Sequence, residues 1–429
     1  MVKKWKVVLL TGAILVLAVG GGLLIAKPFS GQADKKEAEK APAVPAWRSS
    51  RTIQNPNYIV YKDEYDIVRN TSALSGAAAK FYDKYIEITA PSGKPIRILA
   101  QDRVTDEQLL YVHDILSFYL CSLGEAVQNQ LADSGQCLVL PNGADGDGRV
   151  PEEALIGQNL NQLEISNVGC KWYLENDYDH RDASFEEIFH FVHDYGIGTV
   201  RNPGALPDLA NKIEEAMQNA LPDDPKDYGK KGLWGYESED WLRELKEEDS
   251  LAQEYIVSVI DSYYGLWEAW EETVGGMWGI YCAKSREEIR EKDPVGYDLI
   301  TSFLPENISQ MLRIDPSFEG VFRMKSGRNV SYASKSQYLQ NLSLTGDKNS
   351  GIAGNDLDNI FMGNSGDNVI DGGKGINVVQ FRGASSEYEV TENKDGITVI
   401  DQIPGRDGTD RLKNIQILRF TDQDISVGS

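Results

Sequence analysis

Gly354-Asn-Asp-Leu-Asp-Asn-Ile-Phe-Met362, Gly363-Asn-Ser-Gly-Asp-Asn-Val-Ile-Asp371 and Gly372-Gly-Lys-Gly-Ile-Asn-Val-Val-Gln380 stand end to end, three units of nine residues, each headed by glycine. A fourth, degenerate unit precedes them at 346–353. In each unit a glycine-rich half suits tight turns with left-handed backbone angles, and a short apolar half follows. The eighth residue of each, Phe361, Ile370 or Val379, is expected to point inward. Units of this kind cannot bury their apolar face singly, so they stack.

In a coil of this period a calcium ion sits between successive turns, held by backbone carbonyls and an acid at the sixth position. Here the sixth residues are Asn359, Asn368 and Asn377, and Asp356, Asp358, Asp367 and Asp371 supply charge nearby. These seven are the candidate Ca2+-binding residues. Beyond the repeats, 378–381, 388–390, 397–400 and 415–420 read as strands, with Gly405-Arg-Asp-Gly-Thr-Asp410 as a turn. The units resemble the haemolysin-type (RTX) repeats of secreted proteins, and the strands resemble the β-cap that follows them. The resemblance implies a parallel β-roll with an antiparallel cap over 345–429, folding on calcium outside the cell.

The rest of the chain agrees with export. Residues 7–26 form an apolar run behind Lys3, Lys4 and Lys6, long enough to cross a bilayer. Segment 1–27 is therefore read as a signal peptide or signal-anchor helix, with the small residues Gly31-Gln-Ala33 as a candidate cleavage site. A solvated linker follows over 28–50. The body is expected outside the cytoplasm, secreted or membrane-anchored. Cys121, Cys137, Cys170 and Cys282 allow three disulfide pairings, with Cys121–Cys137 favoured by proximity and Cys170–Cys282 left over. A net charge of −23 argues against a nucleic-acid partner, because phosphate binding needs a surplus of Lys and Arg.

With 429 residues, the chain is expected to be multidomain. A mostly helical α+β central domain is placed over 51–325, a linker over 326–344, and the all-β tail after it. Within the central domain, 85–90 and 95–100 suit a hairpin turning at Ser92-Gly93. Thr105-x-x-Gln108 is a capping box that opens a helix, and 137–140 reads as a strand. Asp145-Gly-Asp-Gly148 is read as a turn, because no Glu follows at the twelfth place of a calcium loop. His113 is read as structural, and Tyr263, Tyr264, Trp267, Trp270, Trp278 and Tyr281 as core.

The segment with most chemistry is Ser184-Phe-Glu-Glu-Ile-Phe-His-Phe-Val-His-Asp-Tyr-Gly196. At about 100° per residue, Glu186, Glu187, His190, His193 and Asp194 share one stripe of a helix. The stripe holds only acids and imidazoles, whereas an ordinary solvent face would mix in Lys or Arg. Imidazole and carboxylate one turn apart can point at one cation. A plain polar face of an amphipathic helix is the other reading.

Glu186-Glu-Ile-Phe-His190 resembles the His-Glu-x-x-His motif of gluzincin metallopeptidases, particularly the lethal-factor-like branch, with Glu186 in place of the first histidine. Ser250-Leu-Ala-Gln-Glu-Tyr-Ile-Val-Ser258 resembles the helix that bears that family's glutamate ligand, here Glu254, and the likeness runs over 86–305 through a charged helix and Asp-Pro step at 285–299. The resemblance implies metal ligands Glu186, His190 and Glu254, with His193 beside them, and Glu187 as general base. This donor set is harder than the usual zinc set and suits iron or manganese, with Zn2+ still open. The family's tyrosine donor is replaced by Glu247, so His193 or His180 is left to face the oxyanion. Two functions follow: metal-assisted hydrolysis of a peptide or protein substrate, or a non-catalytic surface or adhesion protein with a degenerate peptidase fold.

Overall fold

The computed structural model is a mixed α/β protein, helical in its middle and rich in parallel sheet in its C-terminal part. It describes residues 67–427 except 75, 77, 146–149, 166–169, 272–273 and 328–329. The expected signal or anchor segment and the linker at 28–50 lie outside the described residues, as does most of the turn at 145–148. Among the described residues, no helix is long and apolar enough to cross a membrane.

A four-stranded sheet comes first, in the order β1 (Lys84–Thr89), β2 (Pro95–Ala100), β3 (Cys137–Leu140), β4 (Gly157–Asn159). β1 and β2 form an antiparallel hairpin, turned by Gly93 at a φ of 81° that a side chain resists. The other pairs are parallel, and parallel neighbours need a crossover. Helices α1 (Asp106–Leu123) and α2 (Glu125–Ser134) provide it between β2 and β3. The capping box at the start of α1 is formed, with Gln108 N donating to Thr105 Oγ1 at 3.1 Å and Thr105 N to Gln108 Oε1 at 3.0 Å.

Cys121 and Cys137 are both free thiols, as is Cys282, so neither expected disulfide is formed. Nearness in sequence misled here: Cys121 lies on the exposed side of α1, while Cys137 opens a strand buried against Tyr82, Tyr85 and Val139.

Among the described residues six further α-helices follow: α3 (Ser184–Val192), α4 (Pro207–Ala220), α5 (Glu239–Glu248), α6 (Leu251–Tyr263), α7 (Arg286–Lys292) and α8 (Pro294–Phe303). Aromatic rings fasten α3 to α1, with Tyr119 5.2 Å from Phe189 and its hydroxyl donating to the Phe185 carbonyl at 3.0 Å. The Asp-Pro step ties α8 to α6: Asp293 caps Gly296 N at 3.0 Å and accepts from Tyr255 and Tyr281 at 2.7 and 3.0 Å. The aromatic stretch after α6 is core at Tyr263, Tyr264, Trp267 and Tyr281.

The C-terminal part holds two six-stranded sheets, between which the chain alternates. One runs β16 (Asp424–Ser426), β15 (Ile417–Arg419), β11 (Val378–Gln380), β9 (Ile360–Met362), β7 (Leu339–Leu344), β5 (Ile308–Ile314). The other runs β12 (Tyr388–Asn393), β13 (Gly396–Asp401), β14 (Thr409–Lys413), β10 (Val369–Asp371), β8 (Ser350–Ala353), β6 (Gly320–Arg323). Pairing is parallel through the repeats and antiparallel at β12–β13–β14 and β15–β16. β14 takes up the end of the segment expected as a turn.

The eighth residues do point inward, in two in-register columns. Leu342, Phe361, Val379 and Leu418 stack in one sheet, and Phe322, Ile352, Ile370 and Leu412 in the other. All eight are buried, each contributing about 1.5–3 kcal/mol of apolar burial as an upper bound.

The sheets begin at Ile308, before any nine-residue period is legible. The expected boundary at 325 and linker at 326–344 therefore fall between and across strands of the same two sheets. The described residues all belong to one unit. Arg313 of β5 reaches the Asp114 carboxylate of α1 at 3.2 Å, with both side chains buried, and His113 stands on the other oxygen at 3.2 Å. His113 is thus part of this joint, as a structural histidine should be.

Candidate metal centre

Helix α3 was expected to show a polar stripe to solvent or to a cation. In the fold every residue from Ser184 to His193 is buried. The acids and imidazoles therefore face neither water nor apolar core but one another and their neighbours on α6 and β4. Burying charged groups is tolerable only where they are paired or bind a cation.

Glu186 and His190, one turn apart on α3, meet Glu254 from α6. One ligand atom from each residue lies within 4.8 Å of the others, and all three side chains are buried. His190 Nε2 stands 3.4 Å from Glu254 Oε1 and makes no hydrogen bond. Both Glu186 oxygens also lack a well-formed hydrogen bond, although Arg181 Nη2 stands 2.5 Å from Oε2. Orphaned polar atoms in a buried site call for an explanation, and a shared cation supplies one.

Glu187 sits beside this group, and Gln158 of β4 holds its Oε2 at 2.7 Å. Burial pushes its carboxyl well above the usual range, and the charges of Glu186, Glu164 and Glu254 push the same way. Glu254 is raised by burial and by Glu186, against the pull of Arg181. Burial lowers His190 to about 4, helped by Arg181, and lowers His193 to about 3, helped by His190. Both imidazoles are therefore neutral near pH 7, the form that binds a metal.

His193 remains outside the group. The helix widens at that point into a π-helical turn, His193–Ile197, and within it Gly196 faces α2, where a Cβ would meet Val127 and Leu131. The His193 ring lies 5.9 Å from Phe189, and its Nδ1 has no partner. The extra backbone residue per turn also breaks the 100° count, so Asp194 comes out half-exposed and bonded to Gln253 at 3.3 Å. His180 is exposed, with its Nδ1 bonded to Asp177 at 2.9 Å. Glu247 is exposed on α5.

Two site residues were missed in the sequence. Arg181, buried just before α3, lies under the Trp278 ring at 4.7 Å and pairs with Glu186. Asp261 lies on the same face of α6 as Glu254, two turns on. Its Oδ2 accepts from Trp267 Nε1 at 3.0 Å and its Oδ1 has no partner. Burial lifts Asp261 to about 7, with Glu186 adding and Arg181 opposing. The i, i+7 spacing from Glu254 was the available signal for Asp261. Nothing local marked Arg181.

Neither family models, curated proteins nor solved structures match this chain. The centre stands on its own geometry: one arginine and the neutral imidazole of His190 among Glu186, Glu187, Glu254 and Asp261. The carboxylates outnumber the fixed cation, and the donors are oxygen and nitrogen at ligand spacing. Glu186, His190 and Glu254 could together hold a metal ion.

Among the described residues, no other group of three such side chains lies at ligand spacing. The candidate calcium residues of the C-terminal sheets have protein partners instead. Asp356 pairs with Lys325 and Lys374 at 2.7 and 3.0 Å. Asp358 accepts from Ile376 N at 2.7 Å, Asp367 from Thr409 N at 2.9 Å, and Asp371 from Asn414 Nδ2 at 2.6 Å. Asn359, Asn368 and Asn377 are buried.

Proposed function

We propose that this chain is an exported metal-dependent hydrolase of the metallopeptidase type, with its centre at Glu186, His190 and Glu254. The observation that carries the reading is the convergence of these three buried ligand atoms from two helices within 4.8 Å. A divalent cation held there supplies Lewis-acid activation of water.

The chain's own residues supply the rest. Glu187, raised in pKa and oriented by Gln158, is placed to take a proton and return it to a leaving group. Arg181 is the donor nearest the centre: Nη2 is engaged with Glu186 while Nη1 has no partner. It fills the oxyanion role left open by the missing tyrosine better than His180 does. The peptide bond as substrate rests on the gluzincin resemblance, and export rests on the apolar run at 7–26. The alternating sheets support the β-roll reading of the C-terminal part.

One observation favours a second reading. Glu186, His190 and Glu254 are only 1%, 3% and 4% exposed, which suits a structural cation in a domain without catalysis. Hydrolysis of a denatured protein by the purified chain separates the two. The enzyme reading expects activity that Glu187→Gln abolishes while the bound metal is retained. A metal-loaded chain with no activity on any such substrate favours the structural reading.

A further inference from the structure

The nine-residue period implies calcium between the turns, yet the sixth position carries an amide. Register pairing lines these positions up in two columns. Gln340, Asn359, Asn377 and Gln416 follow one another in one sheet, and Ser350, Asn368 and Asp410 in the other.

The side-chain amide of each asparagine donates to a backbone carbonyl of a neighbouring turn, and Asn377 also accepts across the turns. Asn377 Oδ1 accepts from Asn359 N at 3.2 Å, and Gln416 Oε1 accepts from Asn377 N at 2.7 Å. Asp410 Oδ1 does the same for Asn368 N at 3.0 Å. The Nδ2 groups reach the backbone carbonyls. Asn377 donates to Lys374 O and Asn414 O, both at 3.0 Å, and Asn359 to Gln340 O at 3.1 Å. Asn368 donates to Ser350 O at 3.3 Å. A second set at the turn entrance repeats the pattern, with Asn355 bonded to Leu339 O at 2.8 Å and Asn364 to Thr345 O at 2.9 Å.

Carbonyls that accept from an amide N–H are not presented to a cation, and a neutral amide brings no charge for a cation to neutralise. Asp356, Asp358, Asp367 and Asp371 around the turns are held by lysines, backbone N–H groups and the Asn414 amide, as described above. The residues therefore do not fit the calcium that the period implies.

We infer that an amide ladder stands in for calcium in these sheets, and that they fold without it. The protein keeps the geometry of a calcium coil while its hydrogen bonds do the cross-turn work of the ion. Of the seven column residues, only Asn359 and Asp410 leave a buried oxygen, Oδ1 and Oδ2 respectively, without a donor. The inference stands independently of the metal centre in the helices.

Amide hydrogen exchange on the full chain, followed by mass spectrometry of peptides from 339–420, tests this locally, with peptides from 184–192 reporting separately any loss of metal at α3. In EGTA the wild-type sheets are expected to be as protected as in millimolar calcium. Asn377→Asp, which turns a donor into an acceptor facing the Lys374 and Asn414 carbonyls, is expected to exchange faster in EGTA. Gain of protection by the wild type on adding calcium would overturn the inference. So would an Asn377→Asp variant as protected as wild type in EGTA, since the amide would then be idle.

Discussion

Arg181 Nη2 lies 2.5 Å from Glu186 Oε2, a cation and an anion both sequestered from water. Asp261 shares the arginine's field, and Glu187 and Glu254 are raised by burial and then by the surrounding acids. Removing one partner of a buried pair leaves an uncompensated charge, which costs about 3–5 kcal/mol. Arg181→Met is therefore expected to lose that much in urea unfolding of metal-free protein, and less once a divalent metal is bound. A loss of under about 1 kcal/mol, typical of exposed pairs, would show that the acids do not depend on it.

Asp410 gives a pH signature. Burial raises its carboxyl from 3.8 to about 8; the Asn368 N–H and Arg382 oppose this, while Asp407 and Asp367 add to it. The native state thus binds more protons than the unfolded chain between those values, and stability falls as pH rises through that window. The limiting slope is about 1.4 kcal/mol per pH unit. Asp410→Asn, which completes the amide column, is expected to flatten this decline in thermal melts from pH 4 to 8. An unchanged profile would contradict the assignment.

Gly196 lies in the π-helical turn that follows α3. A Cβ there would meet Val127 Cγ1 at 2.8 Å and Leu131 Cγ at 3.0 Å. Overpacking of this kind costs about 1–3 kcal/mol, so Gly196→Ala should lower the unfolding free energy by that amount and weaken metal retention together. Loss of stability with metal affinity untouched would separate the π-helical turn from the centre.

Asp114 joins the helices to the sheets through Arg313. Among the described residues the six tryptophans, Trp172, Trp234, Trp241, Trp267, Trp270 and Trp278, all precede the strands of the two C-terminal sheets, so their fluorescence reports a different part of the fold from sheet peptides. Asp114→Ala is expected to shift the fluorescence transition and the exchange of sheet peptides to the same lower urea concentration. Two separate midpoints would mean that the joint is energetically silent.

Much of this fold was legible at short range. The Ser92-Gly93 hairpin, the Thr105 capping box, the helix bearing Glu254 and the inward Phe361, Ile370 and Val379 all announce themselves within a few residues of sequence. So did the candidate centre, since Glu186 and His190 are one turn apart. What failed depends on distant partners. The sheets start at Ile308 because strand pairing, not glycine period, recruits β5 to β7. Arg181 and the full burial of α3 are set by α1, α6 and Trp278. The asparagines look like poor calcium ligands in sequence, and only register shows their amides bridging the turns.

The central claim is that Glu186, His190 and Glu254 share one cation. Elemental analysis of the purified full chain by plasma mass spectrometry, beside Glu254→Ala and His190→Ala, tests it most directly. The account predicts a stoichiometric divalent transition metal in the wild type that either substitution removes. A wild-type chain that stays metal-free after incubation with zinc, manganese and ferrous iron, or variants that keep the metal, would contradict it.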